Sequence, residues 1–276
     1  ITRLPGTVDI ERYAKILDVA LAEARPVKEI LAAAAHGGEV TQGDWQLLAY
    51  YSWSTDNGRA MAKAKETGTF RMLSSRCPVE LQAACARLYF EYLGAAARDA
   101  GEGKGSFTGL DRADARRKLL ELLALPAVGR ANVDNLLYGS KDLVSFLSDA
   151  GSAERRQLTT AWHGALDQLT AGDGAAALSS SEQLKVIRAR MLLAKLDAPD
   201  APLPAALVDE ARKAVAQVDA ATTDPYARQA AINSAAGLFW EAGLDEDANR
   251  LLVAELEKSK SPYYFMLDLA DLAEKA

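Results

Sequence analysis

Beyond residue 6 the apolar side chains of this sequence recur at intervals of three and four, segment after segment, and that period admits little but helix. In "VDIERYAKILDVALAEA" the spacing puts Ile10, Tyr13, Ile16, Leu17, Ala20 and Leu21 on one face. Pro26 follows at a helix start, Val27, Ile30, Leu31 and Ala34 continue the pattern, and Gly37-Gly38 stops it. The same reading gives helices at "TQGDWQLLAYYSW", "GRAMAKAKETG" and "PVELQAACARLYFEYLGAAARDA", the last with Pro78 in its first turn. Further along it predicts "DRADARRKLLELLAL", a helix near Asn132 to Leu137 and a separate one at "KDLVSFLSDAG". Six more follow, from "SAERRQLTTAWHGALDQLTAG" to "PYYFMLDLADLAEKA", with Gly, Pro, Ser and Asp between them as stop and cap residues. One-sided helices joined by short connections bury their apolar faces most economically as antiparallel hairpins. The expected fold class is all-α.

Composition narrows the function classes. The chain has 276 residues, 49% hydrophobic and 25% charged, with a net charge of −6. That is enough apolar surface for a substantial core, and an acidic balance with no basic face argues against nucleic acid as a partner. Its Ala-rich apolar runs are broken by charges before the ~20 residues a membrane span needs, so no integral membrane segment is expected. Two cysteines and two histidines are too few for a zinc or iron–sulfur site built from the usual ligands. Neither a metal nor a cofactor is expected, and no catalytic residue is assigned.

The stretch "QAAINSAAGLFWEAGLDEDANRLLVAELEKSKSP", from Gln229 to Pro262, has the length and spacing of a helix–turn–helix repeat. Ala235 and Ala236 are small where two helices must approach, Phe239 is a packing residue one turn on, Gly243 serves the turn, and Ala248 lies at the crossing. This segment resembles a tetratricopeptide repeat. The resemblance implies antiparallel hairpins stacked as a superhelix, because a single hairpin cannot bury its own apolar face. A further unit begins at "YYFMLDLADLAEKA" and runs out before its turn glycine, so it reads as a cap helix or as a repeat whose remainder lies beyond this sequence.

The first residues raise a different question. Ile1-Thr2-Arg3-Leu4 is a short β-branched run, closed by Pro5-Gly6 and followed at once by helix. Arg3 and Gly6 match the R-x-x-G part of the segment that ends a thioredoxin fold, where a last strand turns into a last helix. With "DWQLLAYYSWSTD" and "KSPYYFMLDLADLAEK", the chain resembles bacterial exported proteins in which a thioredoxin-like domain precedes a helical region. The resemblance implies that the C-x-x-C pair lies upstream of this sequence, that the parent is a thiol:disulfide oxidoreductase, and that the location is periplasmic. Without an upstream signal peptide the location becomes cytoplasmic. The expected domains are a thioredoxin remnant at 1–8, a helical region at 9–100, a linker at 101–109, and a helical repeat region at 110–276.

The candidate sites follow from side-chain chemistry. Trp45, Tyr50, Tyr51 and Trp53 form an aromatic cluster, and Tyr263 with Tyr264 a second one. Exposed aromatics of this kind anchor a protein or peptide partner, whereas a stripe at helical spacing also packs a core. Cys77 and Cys85 stand eight positions apart, about 12 Å on a continuous helix, and a disulfide needs Cα atoms within about 7 Å. Bonding requires Cys77 to lie outside the helix and fold back, and the alternative is a buried free Cys85. "GEGKGSFTG" fails the phosphate-loop pattern, since Lys104 is followed by Gly105. His36 and His163 stand alone. The expected function is a non-catalytic helical scaffold that binds a protein or peptide. The competing readings are a subdomain of an α-superhelical envelope enzyme and a module for self-association only.

Overall fold

The computed structural model describes residues 25–50, 54–107, 109–171, 178, 180–199, 201–221 and 225–258, with single positions at 14, 21 and 266. Among these residues there are thirteen α-helices and no strand, so the chain is all-α. Residues 1–6, with the expected remnant strand, lie outside the described set, as does nearly all of the first expected helix. The chain divides into two units, residues 1–149 and 150–276. The segment 101–109 lies inside the first of them.

The first unit contains α1 (Val27–Ala35), α2 (Gln42–Tyr50), α3 (Ser54–Glu66), α4 (Thr69–Arg76), a 3-10 turn (Val79–Leu81) and α5 (Gln82–Gly101). It continues with α6 (Arg112–Leu123), α7 (Pro126–Ala131) and α8 (Val133–Leu147). The long α5 is its axle: α2, α3, α4, α6, α7 and α8 all pack against it. The sequence explains why, since Leu88, Tyr89, Phe90, Tyr92, Leu93 and Ala96 are buried and spread over an arc of about 200°, wider than a single apolar stripe. Tyr89 donates to the Ala115 carbonyl at 3.4 Å, which gives the buried hydroxyl a partner. α1 buries Val27, Ile30, Leu31 and Ala34, as its spacing predicts, and ends on Gly37 at φ 75°. The Gly37 and Gly38 N–H groups then close back on Ala34 and Ala33 in a Schellman turn that only a residue tolerant of positive φ makes cheaply.

Three local expectations change. α4 is an additional helix, since "TFRMLSSR" carries little apolar surface and buries only Phe70 and Leu73 among its large side chains. α7 is also additional. The helices expected at 132–137 and 141–151 are one continuous element, α8, running through Gly139 and Ser140. A mid-helix glycine costs about 1 kcal/mol, which the buried Leu136, Leu137, Leu143, Val144 and Leu147 outweigh.

The second unit contains α9 (Ala153–Thr170), α10 (Ser180–Asp197), α11 (Ala205–Ala221), α12 (Pro225–Glu241) and α13 (Asp245–Lys258). Each helix packs on the next in the chain, and α10 also packs on α12. Its core joins Leu184, Ile187 and Met191 of α10 to Ala211 and Val215 of α11, and to Ala235, Leu238 and Phe239 of α12, with Ala248 of α13. Gly243, at φ 74°, turns α12 into α13, with its N–H on Trp240 and that of Leu244 on Phe239. No helix among the described residues is long and apolar enough to cross a membrane.

Candidate functional site

The first candidate is the turn that carries the two cysteines. Cys77 ends α4 in an extended conformation, because a residue that precedes proline avoids the helical region. Pro78 then leads into the 3-10 turn, and α5 begins at Gln82, so Pro78 caps the turn instead of opening the long helix. The fold-back brings Cys77 within 6.4 Å of Cys85, Cα to Cα, and the two are joined by a disulfide. Cys85 is buried at 1% exposure in the first turn of α5, whereas Cys77 is only half-buried. Val79, between them, projects from the turn at 85% exposure.

The second candidate is a cleft of about 410 Å³ between α3, the end of α5 and the 102–107 loop. The loop expected to be a linker folds back on α5. The buried Asp99 accepts the Ser106 N–H at 2.8 Å, and the Phe107 ring lies 5.7 Å from that of Tyr92. Hydrogen bonds from Ser106, and then from the Phe107 N–H, hold the Asp99 carboxyl below the usual range against the opposing push of desolvation. Around the cleft Lys65 pairs with Glu91 at 3.0 Å and Lys104 pairs with Glu102, which holds the Lys104 ammonium above its ordinary value. Residues of this lining escaped the sequence reading; the one available signal was Phe107, an aromatic inside a glycine-rich run that a pure linker has no use for.

Trp45 is placed in the core at 7% exposure, beside the buried Leu47, Leu48 and Ala49. Its helix is fixed by a capping box, in which the Thr41 N–H donates to Asp44 at 3.0 Å and the Asp44 N–H to the Thr41 hydroxyl at 3.3 Å. Arg25 also reaches Asp44, through its backbone N–H at 3.1 Å and its guanidinium Nε at 3.1 Å and Nη2 at 2.5 Å. Burial pushes the Asp44 carboxyl up, but the Arg25 and Thr41 hydrogen bonds together hold it below its ordinary value. The side chain of Tyr50, and all of Tyr51, Trp53, Tyr263 and Tyr264, lie outside the described residues.

In the second unit a smaller cleft, about 300 Å³, opens between α10 and α11 near the end of α9. Gln183, Glu210, Lys213 and Gln217 line it with Val186 and Ile187 at its floor. Beside it the largely buried Arg190 joins three helices, donating to Asp167 of α9 at 2.8 Å and to Glu210 of α11 at 2.9 Å. His163 is half-buried on α9, and burial lowers its pKa, so it is mainly neutral at pH 7. His36 caps α1 at the surface. Among the described residues no group of His, Cys, Asp and Glu is arranged to hold a metal. Asp44, Asp99 and Asp111 all have carboxyls shifted downward. Such groups are ionised acceptors that hold structure, the opposite poise from a general acid. Compared with known protein families, curated proteins and solved structures, the chain matches none of them.

Proposed function

We propose that this chain is a non-catalytic helical repeat scaffold that binds a protein or peptide partner and serves a thioredoxin-like thiol–disulfide domain encoded upstream of it. The observation that carries the reading is the packing of the second unit. Each helix touches its chain neighbours, and α10 also touches α12, the next-but-one contact that stacked helix hairpins make. Small residues sit where a repeat needs them: Ala235 and Ala248 are fully buried at the α12–α13 contact, with Phe239 packed behind them. Stacked hairpins of this kind present a continuous surface for an extended peptide or a partner helix. The Cys77–Cys85 bond supports an oxidising compartment such as the bacterial periplasm, since such bonds seldom persist in a reducing cytosol.

The test has two steps. The gene is read upstream of the Ile1 codon, and the domain it encodes there is titrated calorimetrically against this chain. A signal peptide, a C-x-x-C motif within about one domain length and measurable binding are expected. A start codon immediately before Ile1, or an upstream domain that shows no heat of binding, would overturn the reading.

A further inference from the structure

We propose that the Cys77–Cys85 disulfide is exchangeable in the folded protein, with Cys77 the sulfur attacked and the turn that carries the exposed Val79 and Glu80 the surface on which a dithiol protein docks. The proposal names the partner chemistry of the scaffold described above, and in that respect it rests on that reading.

The first observation is an asymmetry between the sulfurs. Exchange is an in-line displacement, so the attacking thiolate must reach one sulfur from the side opposite the other. Cys85 is 1% exposed and belongs to the core, while Cys77 is half-buried at a helix end. The bond thus joins a core residue to a partly exposed one, and the Cys77 end is the more open to approach. The neighbouring Arg76 is exposed, a cation beside the point of attack by an anionic nucleophile. The leaving sulfur, Cys85, is the fourth residue of the 20-residue α5: the positive end of the helix dipole favours a thiolate there, while its burial in the core opposes one.

The second observation is independent of the sulfurs. Val79 is 85% exposed, more than any other large hydrophobic side chain among the described residues. It stands on a turn closed by the Leu81 N–H on the Pro78 carbonyl at 3.0 Å, directly after the approachable cysteine. An apolar knob held rigid beside a reactive sulfur costs little entropy to dock.

In the reaction a partner thiolate attacks Cys77 Sγ and forms a mixed disulfide. The Cys77–Cys85 bond breaks, its electron pair leaves on Cys85 Sγ, and that sulfur takes a proton from water. The partner's second thiol then displaces Cys77, so the partner ends as a disulfide and this chain as a dithiol.

The first probe is reduced glutathione, added to the full chain in native buffer, with acid quenching and peptide mapping by mass spectrometry. The expected product is a glutathione adduct on Cys77 with Cys85 as a free thiol, formed at a rate proportional to glutathione and unchanged by sub-denaturing urea. An adduct on Cys85, or a rate that saturates and rises with urea, would mean that the bond opens only through unfolding and would overturn the proposal. The second probe is a purified thioredoxin. Val79→Ser, which removes the apolar knob without adding charge, is expected to slow reduction by thioredoxin about tenfold while leaving the glutathione rate unchanged; an unchanged thioredoxin rate would remove the docking turn. Absence of an upstream thioredoxin domain in the gene leaves the glutathione result untouched, so the two failures are distinguishable.

Discussion

The two units reach an all-α fold by different routes. In the first, α5 is an axle around which six helices gather, and its core residues Leu88, Phe90 and Leu93 face neighbours far apart in sequence. In the second, contacts run from each helix to the next or next but one, and arginine–carboxylate pairs join the helices. Arg188 meets Glu241 across α10 and α12 at 2.5 Å, Arg212 meets Asp247 across α11 and α13 at 2.7 Å, and Arg228 meets Glu255 across α12 and α13 at 2.9 Å. The difference teaches where stability resides. An axle makes six of the unit's other seven helices depend on one element, so damage there is shared widely through the unit. A stack distributes stability over nearest-neighbour interfaces, so damage remains local.

The largest expected effect breaks the axle. Leu93→Ala removes a side chain with no exposed surface and is expected to cost about 2–5 kcal/mol. Circular dichroism during urea unfolding is expected to show the first unit lost at lower urea with the second unchanged. Coincident shifts of both would mean that the units are not energetically separate. Next in size is Cys77→Ala with Cys85→Ala. Opening a loop of sequence separation 8 is expected to cost the first unit about 2–3 kcal/mol, read as a lower urea midpoint. A destabilised second unit would contradict the division.

Asp44→Asn sharpens the comparison through pH. The Asp44 carboxyl is lower in the folded state than in the unfolded one, so its contribution is complete above the unfolded value of about 3.9 and fades as pH falls through the folded value. Between pH 5 and pH 2 the wild-type first unit is expected to lose stability more steeply than the variant, and parallel curves would remove the ion pair from the account. At neutral pH the variant is expected to be weaker by about 1–3 kcal/mol. The smallest effect tests the stack. Glu255→Gln leaves the partly exposed Arg228 facing a neutral amide and is expected to cost about 1–2 kcal/mol. The loss should be confined to α12 and α13, as seen by proteolysis at their ends.

The sequence made some of this visible and concealed the rest for physical reasons. Where a helix buries one face, spacing alone names the core, as with Val27, Ile30, Leu31 and Ala34 of α1, and Ala235, Phe239 and Ala248 were legible from their sizes. α4 was not legible, because it is held by tertiary packing of Phe70 and Leu73 and not by an apolar stripe. The 101–109 loop looked like a linker because glycine spacing reports backbone freedom, not the bond from Ser106 that pins it to Asp99. The disulfide remained one of two alternatives, since its formation depends on the path of the chain at Cys77-Pro78. For Trp45 the spacing left a binding face and a core position both open, and its surroundings decide for the core.

The most direct test is native-state hydrogen exchange on the intact chain, read helix by helix under increasing urea. An axle and a stack predict that the buried amides of α5 open together with one free energy, while those of α10 to α13 open in steps that differ from helix to helix. A single opening free energy shared by α10 through α13 would contradict the stack, and with it the helical repeat on which the proposed scaffold depends.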